Sequence, residues 1–148
     1  MLQIRKIRPE DISFVMELAA EKVGTGVKLL SNIENILICE NDNIKCGCGC
    51  LVPLNGKGYM SWVIVDENHR RKKLGGAITK SLLNIADRKG IGEVYAAGIC
   101  EDFLKAMGFE ETENKSSMNE IKEVLGDINA RKCYKVSLKD YFRPCSHK

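Results

Sequence analysis

The first third of the chain has an apolar pattern that predicts a strand followed by an amphipathic helix. Apolar and polar residues alternate over 2–7, which is the period of a half-buried strand. A proline and two acidic residues at 9–11 suit the first turn of a helix, and apolar residues then recur at helical spacing over 12–19. Residues 28–33 have a weaker pattern that predicts a short second helix.

The remainder of the chain alternates between strand and helix patterns, with turns rich in Asn and Gly between them. The predicted elements are strands at 36–40, 44–54 and 59–65, a helix from Gly75 or Gly76 to Lys89, a strand at 93–97, a helix at 101–107, a strand from Phe109, a helix at 118–125 and a strand at 131–138. This order predicts a single α/β domain over residues 1–148, with a mixed sheet, a core at about 3–138 and a loosely held tail at 139–148.

The amino-acid composition restricts the classes of protein to which this chain can belong. Hydrophobic residues make up 44% of the 148 residues and charged residues 29%, which is typical of a globular chain. No apolar run approaches the roughly 20 residues that span a bilayer, and the N-terminus has no apolar signal segment. A net charge of +3 is too small to indicate nucleic acid. We therefore expect a cytoplasmic protein that binds neither membrane nor nucleic acid.

The seven cysteines are Cys39, Cys46, Cys48, Cys50, Cys100, Cys133 and Cys145. An odd number without a secretion signal predicts reduced thiols. Three of them alternate with glycine over 46–50, so on a strand their sulfurs would share one face about 7 Å apart, too far for one tetrahedral zinc. We expect core thiols and no metal site. Cys100 is expected to be a core or site-wall residue rather than a nucleophile.

The stretch most informative about chemistry runs from Ser61 to Leu83, where an apolar strand leads through a basic loop into an amphipathic helix. The basic run at 69–73 is followed one residue later by Gly75 and Gly76. The first turn of a helix binds anions, glycine lets a phosphate approach the backbone, and Lys or Arg adds charge-assisted contacts. The pattern predicts a phosphate-binding loop, although neither a P-loop nor a dinucleotide fingerprint is present.

This loop resembles motif A of the GNAT superfamily of N-acetyltransferases. The run Arg70-Arg71-Lys72-Lys73-Leu74-Gly75 begins five residues after Val65, which is the spacing of that motif. Lys73 stands where the family usually has its first glycine. A register shifted to 72–77 restores the glycine but places Lys72 at the Arg/Gln position, and we prefer the first register because it keeps the strand spacing.

Two further segments resemble the same family. Residues 102–110 resemble motif B with its Gly-Phe pair, and Leu104 occupies the position at which many members have a proton-donating Tyr. Residues 7–12 resemble the opening strand and helix. The resemblance spans about residues 3–112. Within the family, the chain is most similar to small amino-acid acetyltransferases of the N-acetylglutamate synthase type.

The resemblance implies a mixed, mostly antiparallel central sheet flanked by helices, with acetyl-CoA as co-substrate and direct transfer of its acetyl group to a primary amine of a small molecule or peptide. The implied cofactor-binding residues are Val63, Ile64, Val65, Arg70, Arg71, Lys72, Lys73, Leu74, Gly75, Gly76, Ala77 and Phe103. A backbone N–H near Ile64 would stabilise the oxyanion. The candidate general bases, among which the sequence does not choose, are Glu40, Asp66, Glu67 and Glu101.

The sequence alone leaves other functions open. Lys73 and Leu104 depart from the family pattern, which favours a coenzyme A-binding sensor or partner subunit without catalysis. Tyr134 or Tyr141 is an alternative proton donor, and a homodimer is one possible assembly. A thiol-based redox or metal protein built on the cysteines is the remaining class.

Overall fold

The computed structural model of the chain describes residues 1–20, 33–69, 73–97, 99–113, 119 and 132–142. In these ranges the strands are β1 (Leu2–Lys6), β2 (Ile36–Asn41), β3 (Ile44–Leu54), β4 (Lys57–Val65), β5 (Glu93–Ala96), β6 (Glu110–Thr112) and β7 (Cys133–Ser137). The α-helices are α1 (Ile12–Ala20), α2 (Leu74–Arg88), α3 (Glu101–Ala106) and α4 (Leu138–Phe142). Short 3-10 turns lie at Pro9–Asp11, Ile33–Asn35 and Glu67–His69.

The strands form one sheet in the order β1-β2-β3-β4-β5-β7-β6. β1 pairs with β2, β2 with β3, β5 with β7 and β6 with β7 in antiparallel fashion, whereas β4 and β5 are parallel. Parallel neighbours need a crossover connection, and α2 supplies it. The predicted fold class, a mixed and mostly antiparallel sheet with helices, is confirmed.

Two compact units can be distinguished within the chain. The first consists of Met1–Leu51 and Trp62–Leu82, and the second of Val52–Ser61 and Leu83–Lys148. Among the described residues, none of the helices is long and apolar enough to cross a membrane.

Most of the predicted elements lie where the pattern placed them, but the C-terminal segment differs. The predicted strand at 131–138 is confirmed as β7 at Cys133–Ser137, and a helix that the pattern did not predict begins at Leu138. Residues 143–148 of the predicted tail lie outside the described residues. Leu138 is fully buried and its N–H donates to the carbonyl of Gly92 at 2.9 Å, which fixes the start of α4. The predicted helices at 28–33 and 118–125 lie almost entirely outside the described residues.

Two tight turns define the hairpins β2–β3 and β3–β4. Asp42 and Asn43 have φ values of 52° and 69°, and Asn55 and Gly56 have 54° and 79°. A positive φ at both central residues matches the right-handed twist of the flanking strands, and Asn, Asp and Gly tolerate it best. The Asn- and Gly-rich turn sequences therefore set the register of both hairpins.

A buried ion cluster fixes the N-terminal elements of the first unit. The Asp11 carboxylate is fully buried and contacts Arg5 Nη1 at 2.7 Å and Lys45 Nζ at 2.8 Å. It also accepts a hydrogen bond from the backbone N–H of Arg8 at 2.7 Å. The hydrogen bond from Arg5 is the largest cause that holds the pKa of Asp11 well below its usual range. Arg5 Nε reaches Glu40 at 2.5 Å, so the cluster joins β1, β2, β3 and the first helical turn.

We predict that Asp11→Asn lowers the free energy of unfolding at pH 7 by about 3 kcal/mol, because it removes the buried carboxylate that both Arg5 and Lys45 contact. The folded-state pKa of Asp11 lies below its unfolded value, so this stabilisation is present above about pH 4 and is lost on further acidification. Urea titrations of both proteins between pH 7 and pH 3 should show the difference shrinking below pH 4.

Asp42→Asn is the matched control, because Asp42 pairs with the N-terminal amine and its side chain is 76% exposed. It should leave the urea midpoint unchanged. Equal losses in the two variants, or a difference from wild type that does not shrink at all between pH 7 and pH 3, would contradict the assignment to Asp11.

The alternation of cysteine and glycine in β3 reflects close packing against α2. A Cβ placed on Gly49 would lie 2.7 Å from Ile78 Cγ2 and 3.1 Å from Leu82 Cδ1. A Cβ on Gly47 would lie 2.9 Å from the carbonyl oxygen of Ile64. These distances leave no room for a methyl group, so the two glycines let α2 lie directly on the strand.

We predict that Gly49→Ala destabilises the protein by about 1–3 kcal/mol, because the new methyl group overpacks a branched side chain that has no free end to move. Gly92→Ala is the control, since nothing lies within 4 Å of a Cβ built there. Chemical denaturation should show a loss only for Gly49→Ala, and equal midpoints would disprove the close contact with Ile78.

The cysteines on the other positions of β3 belong to the core, as predicted. Cys46, Cys48 and Cys50 are buried, and burial raises the pKa of Cys48 well above its ordinary value. Cys46 Sγ lies 3.6 Å from Cys39 Sγ, and six of the seven cysteines carry free thiols, with Cys145 outside the described residues. Within the described ranges no group of three metal-ligating side chains comes together. Cys100, expected in the core or a site wall, is exposed just before α3.

Candidate functional site

The site is built around the point at which β4 and β5 stop pairing. Their parallel register covers only Gly58, Tyr59 and Met60 against Val94, Tyr95 and Ala96. β5 ends at Ala96, whereas β4 continues to Val65. The side-chain hydroxyl of Ser61, the first residue after the last pair, is buried and has no hydrogen-bond partner among the described residues. Nothing in the sequence singles out Ser61, because a lone serine in a strand is ordinary.

The continuation of β4 leads to the N-terminus of α2. Asp66 donates its backbone N–H to the carbonyl of Cys46 at 2.8 Å and accepts from the N–H of His69 at 2.9 Å, which turns the chain after the strand. Arg70, Arg71 and Lys72 lie outside the described residues. α2 then begins at Leu74, so its first-turn N–H groups belong to the glycine-containing segment predicted to bind phosphate.

Lys73 has the backbone conformation that glycine usually supplies. Its φ is +59°, in the left-handed region, and its side chain is exposed. An L-residue is strained there, which explains why a glycine is the common choice at such a position. This agrees with the preferred register, in which Lys73 stands at the glycine position of the motif.

Apart from Lys73, which precedes α2, the described residues that were predicted to bind the cofactor fall on three elements. Ile64 is buried in β4, with Val63 and Val65 half-buried beside it. Leu74 is buried at the start of α2, and Gly75, Gly76 and Ala77 are half-buried in its first turn. Phe103 is half-buried on α3 in the second unit. The first two groups are thus consecutive along one strand and the helix that follows it.

The four candidate bases have different surroundings. Glu40 is engaged by Arg5 in the buried cluster. Glu67 is exposed in the 3-10 turn, and Asp66 lies 3.4 Å from His69 Nδ1. Glu101 begins α3 and contacts Lys105 Nζ at 2.9 Å. Of these four carboxylates, Glu101 is the one that lies next to a buried phenol.

That phenol is Tyr134 on β7. Its hydroxyl is buried and makes no hydrogen bond of normal geometry with the described residues. Desolvation, and then the neighbouring Glu101 carboxylate, raise the pKa of Tyr134 to about 12, and the pKa of Glu101 is lowered chiefly by Lys105. Tyr141, the other tyrosine considered from the sequence, lies on α4 against Gly108, and burial raises its pKa as well.

Comparison with known proteins identifies the same family that the sequence motifs indicated. The family model described as the acetyltransferase (GNAT) domain matches residues 32–111. An uncharacterized N-acetyltransferase of Chlorobaculum tepidum is 22% identical over 120 residues, which cover 76% of this chain and 77% of that protein.

Solved structures share the fold at low identity. The N-acetylglutamate synthase of Neisseria gonorrhoeae, complexed with coenzyme A and N-acetyl-glutamate, superposes with a TM-score of 0.78 at 18% identity over 93% of this chain, which spans 35% of that enzyme. A Mycobacterium tuberculosis protein in complex with CoA gives a TM-score of 0.76 at 20% identity, covering 91% of this chain and 98% of that one. Because the family model covers more than half of its length, the chain belongs to the GNAT family of acetyl-CoA-dependent N-acetyltransferases.

Proposed function

We propose that this chain transfers the acetyl group of acetyl-CoA directly to a primary amine of a small molecule or peptide. The observation that carries the proposal is the continuation of β4 beyond its last pair with β5, at Met60 and Ala96, towards the anion-binding end of α2. A cytoplasmic location, expected from the sequence, is part of the same proposal.

The chain's own residues would hold acetyl-CoA along this line. The backbone of Val63–Val65 would pair with the pantetheine amides as an additional strand pairs with a sheet edge. The N–H groups of residues 71–76 would bind the pyrophosphate, where the helix dipole favours negative charge. Lys73 is exposed at that end, so its ammonium adds a charge-assisted contact. The unpartnered hydroxyl of Ser61 supplies a further polar group beside the strand.

The chemistry requires a neutral amine and a stabilised oxyanion. We assign the oxyanion contact to a backbone N–H near Ile64, because a fixed dipole needs no reorganisation when the charge develops. For the general base, acting directly or through water, we disfavour Glu40, because Arg5 holds it inside a buried cluster, whereas the Lys105 that contacts Glu101 is exposed. Glu67 and Asp66 remain candidates beside the phosphate end of the strand.

An amino acid is the acceptor class to test first, because the N. gonorrhoeae enzyme with the similar fold was crystallised with N-acetyl-glutamate. We expect acetyl-CoA and a panel of amino acids, polyamines and short peptides to give free thiol together with an N-acetylated product. Mass spectrometry of the acceptor should detect that product. Binding of acetyl-CoA without transfer to any amine would instead favour the sensor interpretation.

We predict that Gly75→Glu weakens coenzyme A binding by roughly 100-fold or more, because it places a carboxylate where the pyrophosphate charge must lie. Calorimetry with coenzyme A measures the change, and the dephosphorylated cofactor and adenine alone should bind more weakly than coenzyme A to wild type. Ser81→Glu, which adds the same charge to α2 beyond its first turn, is the positional control and should cost less. Unchanged affinity in Gly75→Glu would remove the first turn of α2 from the site.

We predict that Lys73→Gly makes the folded protein more stable but weakens its binding of coenzyme A. Relief of the left-handed strain should raise the free energy of unfolding by about 1 kcal/mol, while loss of the ammonium should weaken coenzyme A binding several-fold. Lys73→Arg keeps the charge and the strain, so it should retain both wild-type values. A gain in affinity for Lys73→Gly would show that the side chain obstructs the phosphate.

A further inference from the structure

His69 is a mostly buried imidazole at the phosphate end of the proposed cofactor site. It closes the 3-10 turn Glu67–His69 between β4 and α2, and 18% of its side chain is exposed. Its Nδ1 is buried and makes no hydrogen bond of normal geometry within the described ranges. A buried polar atom in this state carries a desolvation cost, so packing alone does not account for a histidine at this position.

Backbone hydrogen bonds fix this turn to the neighbouring strand. The N–H of His69 donates to the carbonyl of Asp66 at 2.9 Å, and the N–H of Asp66 donates to the carbonyl of Cys46 on β3 at 2.8 Å. These three residues belong to the first unit, as does the first turn of α2. The imidazole therefore has a fixed place between the end of β4 and the segment that leads into the helix.

The Asp66 carboxylate is the charged group closest to this imidazole. Asp66 Oδ2 lies 3.4 Å from His69 Nδ1. A neutral ring with its proton on Nε2 turns a lone pair towards the carboxylate, whereas an imidazolium presents an N–H to it. The contact is therefore most favourable when the ring is protonated, because opposite charges then face each other.

Other charges near the turn oppose that proton. Four basic residues follow His69 in the sequence at 70–73, and Lys73 is exposed before α2. The positive end of the α2 dipole also disfavours a cation. Glu67 of the same turn is exposed, and the ammonium of Lys45 on β3 is held in the buried ion cluster. In the free protein the basic run and the dipole thus act against the carboxylate.

A pyrophosphate bound at the first turn of α2 would remove this opposition. In the proposed complex its negative charges lie against the N–H groups of residues 71–76. They offset the basic run and the dipole, so a proton on His69 is less unfavourable in the complex than in the free protein. Cofactor binding and protonation then favour each other by the same factor, because linkage between two binding events is reciprocal.

We propose that His69 is a positioning residue that takes up a proton when coenzyme A binds, and that its imidazolium, paired with Asp66, holds the turn against the phosphate end of the cofactor. This inference rests on the coenzyme A site of the proposed function. The proton comes from solvent and stays on the imidazole while the cofactor is bound, so no bond of the cofactor changes. Coenzyme A should therefore bind more tightly as the pH falls through about 6.5, where histidine ordinarily titrates.

Calorimetry with dephospho-coenzyme A tests this linkage on the wild-type chain. The ligand lacks the terminal phosphate monoester, whose own protonation near about pH 6 would obscure that of the protein. We expect its dissociation constant to be about fivefold smaller at pH 5.5 than at pH 7.5. Binding enthalpies at pH 6.5 in buffers of different ionisation enthalpy should show uptake of roughly 0.4 proton per ligand. An affinity that does not change with pH overturns the proposal.

Variants can assign the proton, because the chain has two histidines. His69→Gln keeps a polar side chain that cannot titrate, so its affinity should be constant between pH 5.5 and pH 7.5. His147→Gln is the matched control and should keep the wild-type pH dependence. His69→Arg carries a permanent charge and should bind at pH 7.5 about as tightly as wild type does at pH 5.5, without proton uptake. A merely structural histidine would instead lower the affinity of His69→Gln equally at both pH values.

The outcomes separate this inference from the proposed function. Proton uptake that persists in His69→Gln, or that disappears in His147→Gln, overturns the assignment to His69 and leaves the acetyltransferase proposal intact. Asp66→Asn should reduce the uptake, because the imidazolium loses its partner, and full uptake in that variant overturns the role of the pair. Wild-type protein that binds neither coenzyme A nor its dephospho form ends both proposals.

Discussion

The close contact between β3 and α2 is the constraint on which the first unit depends. Gly47 and Gly49 leave no space for a methyl group beneath Ile78 and Leu82, so the helix can lie directly on the strand. An anion site at a helix N-terminus is only as well placed as the helix itself, because the dipole and the free N–H groups point along its axis. Packing at the middle of α2 therefore determines where a phosphate can bind at its end.

The buried cluster around Asp11 has a different role in the same unit. It uses one carboxylate to join Arg5, Lys45 and the turn before α1, and it leaves Glu40 engaged with Arg5. A charge network of this kind is weak evidence for net stability, since hydrophobic residues of similar volume often replace it without loss. It does fix the register of three strands, and it makes Glu40 a poor candidate for proton transfer.

The second unit contains a buried phenol next to a carboxylate. The parallel contact of β4 and β5 is limited to three residue pairs, and Tyr134 lies in the last of these rows. Its pKa is raised and that of Glu101 is lowered, so at neutral pH the phenol holds its proton and the carboxylate is charged.

The sequence by itself determined the order of strands and helices and the hairpin turns, and it predicted a phosphate-binding segment, because each depends on neighbouring residues. Alternation predicted β3, helical spacing predicted α2, and Asn-Gly at 55–56 predicted the turn. The same local pattern failed at Leu138, where alternation continued but burial and a hydrogen bond to Gly92 started a helix instead. Only the tertiary structure decided which partners Asp11 has, why glycines alternate with cysteines, where β4 and β5 part, and that Tyr134 lies buried beside Glu101. Each of these depends on residues brought together from distant parts of the chain, so a periodic pattern along the sequence cannot predict them.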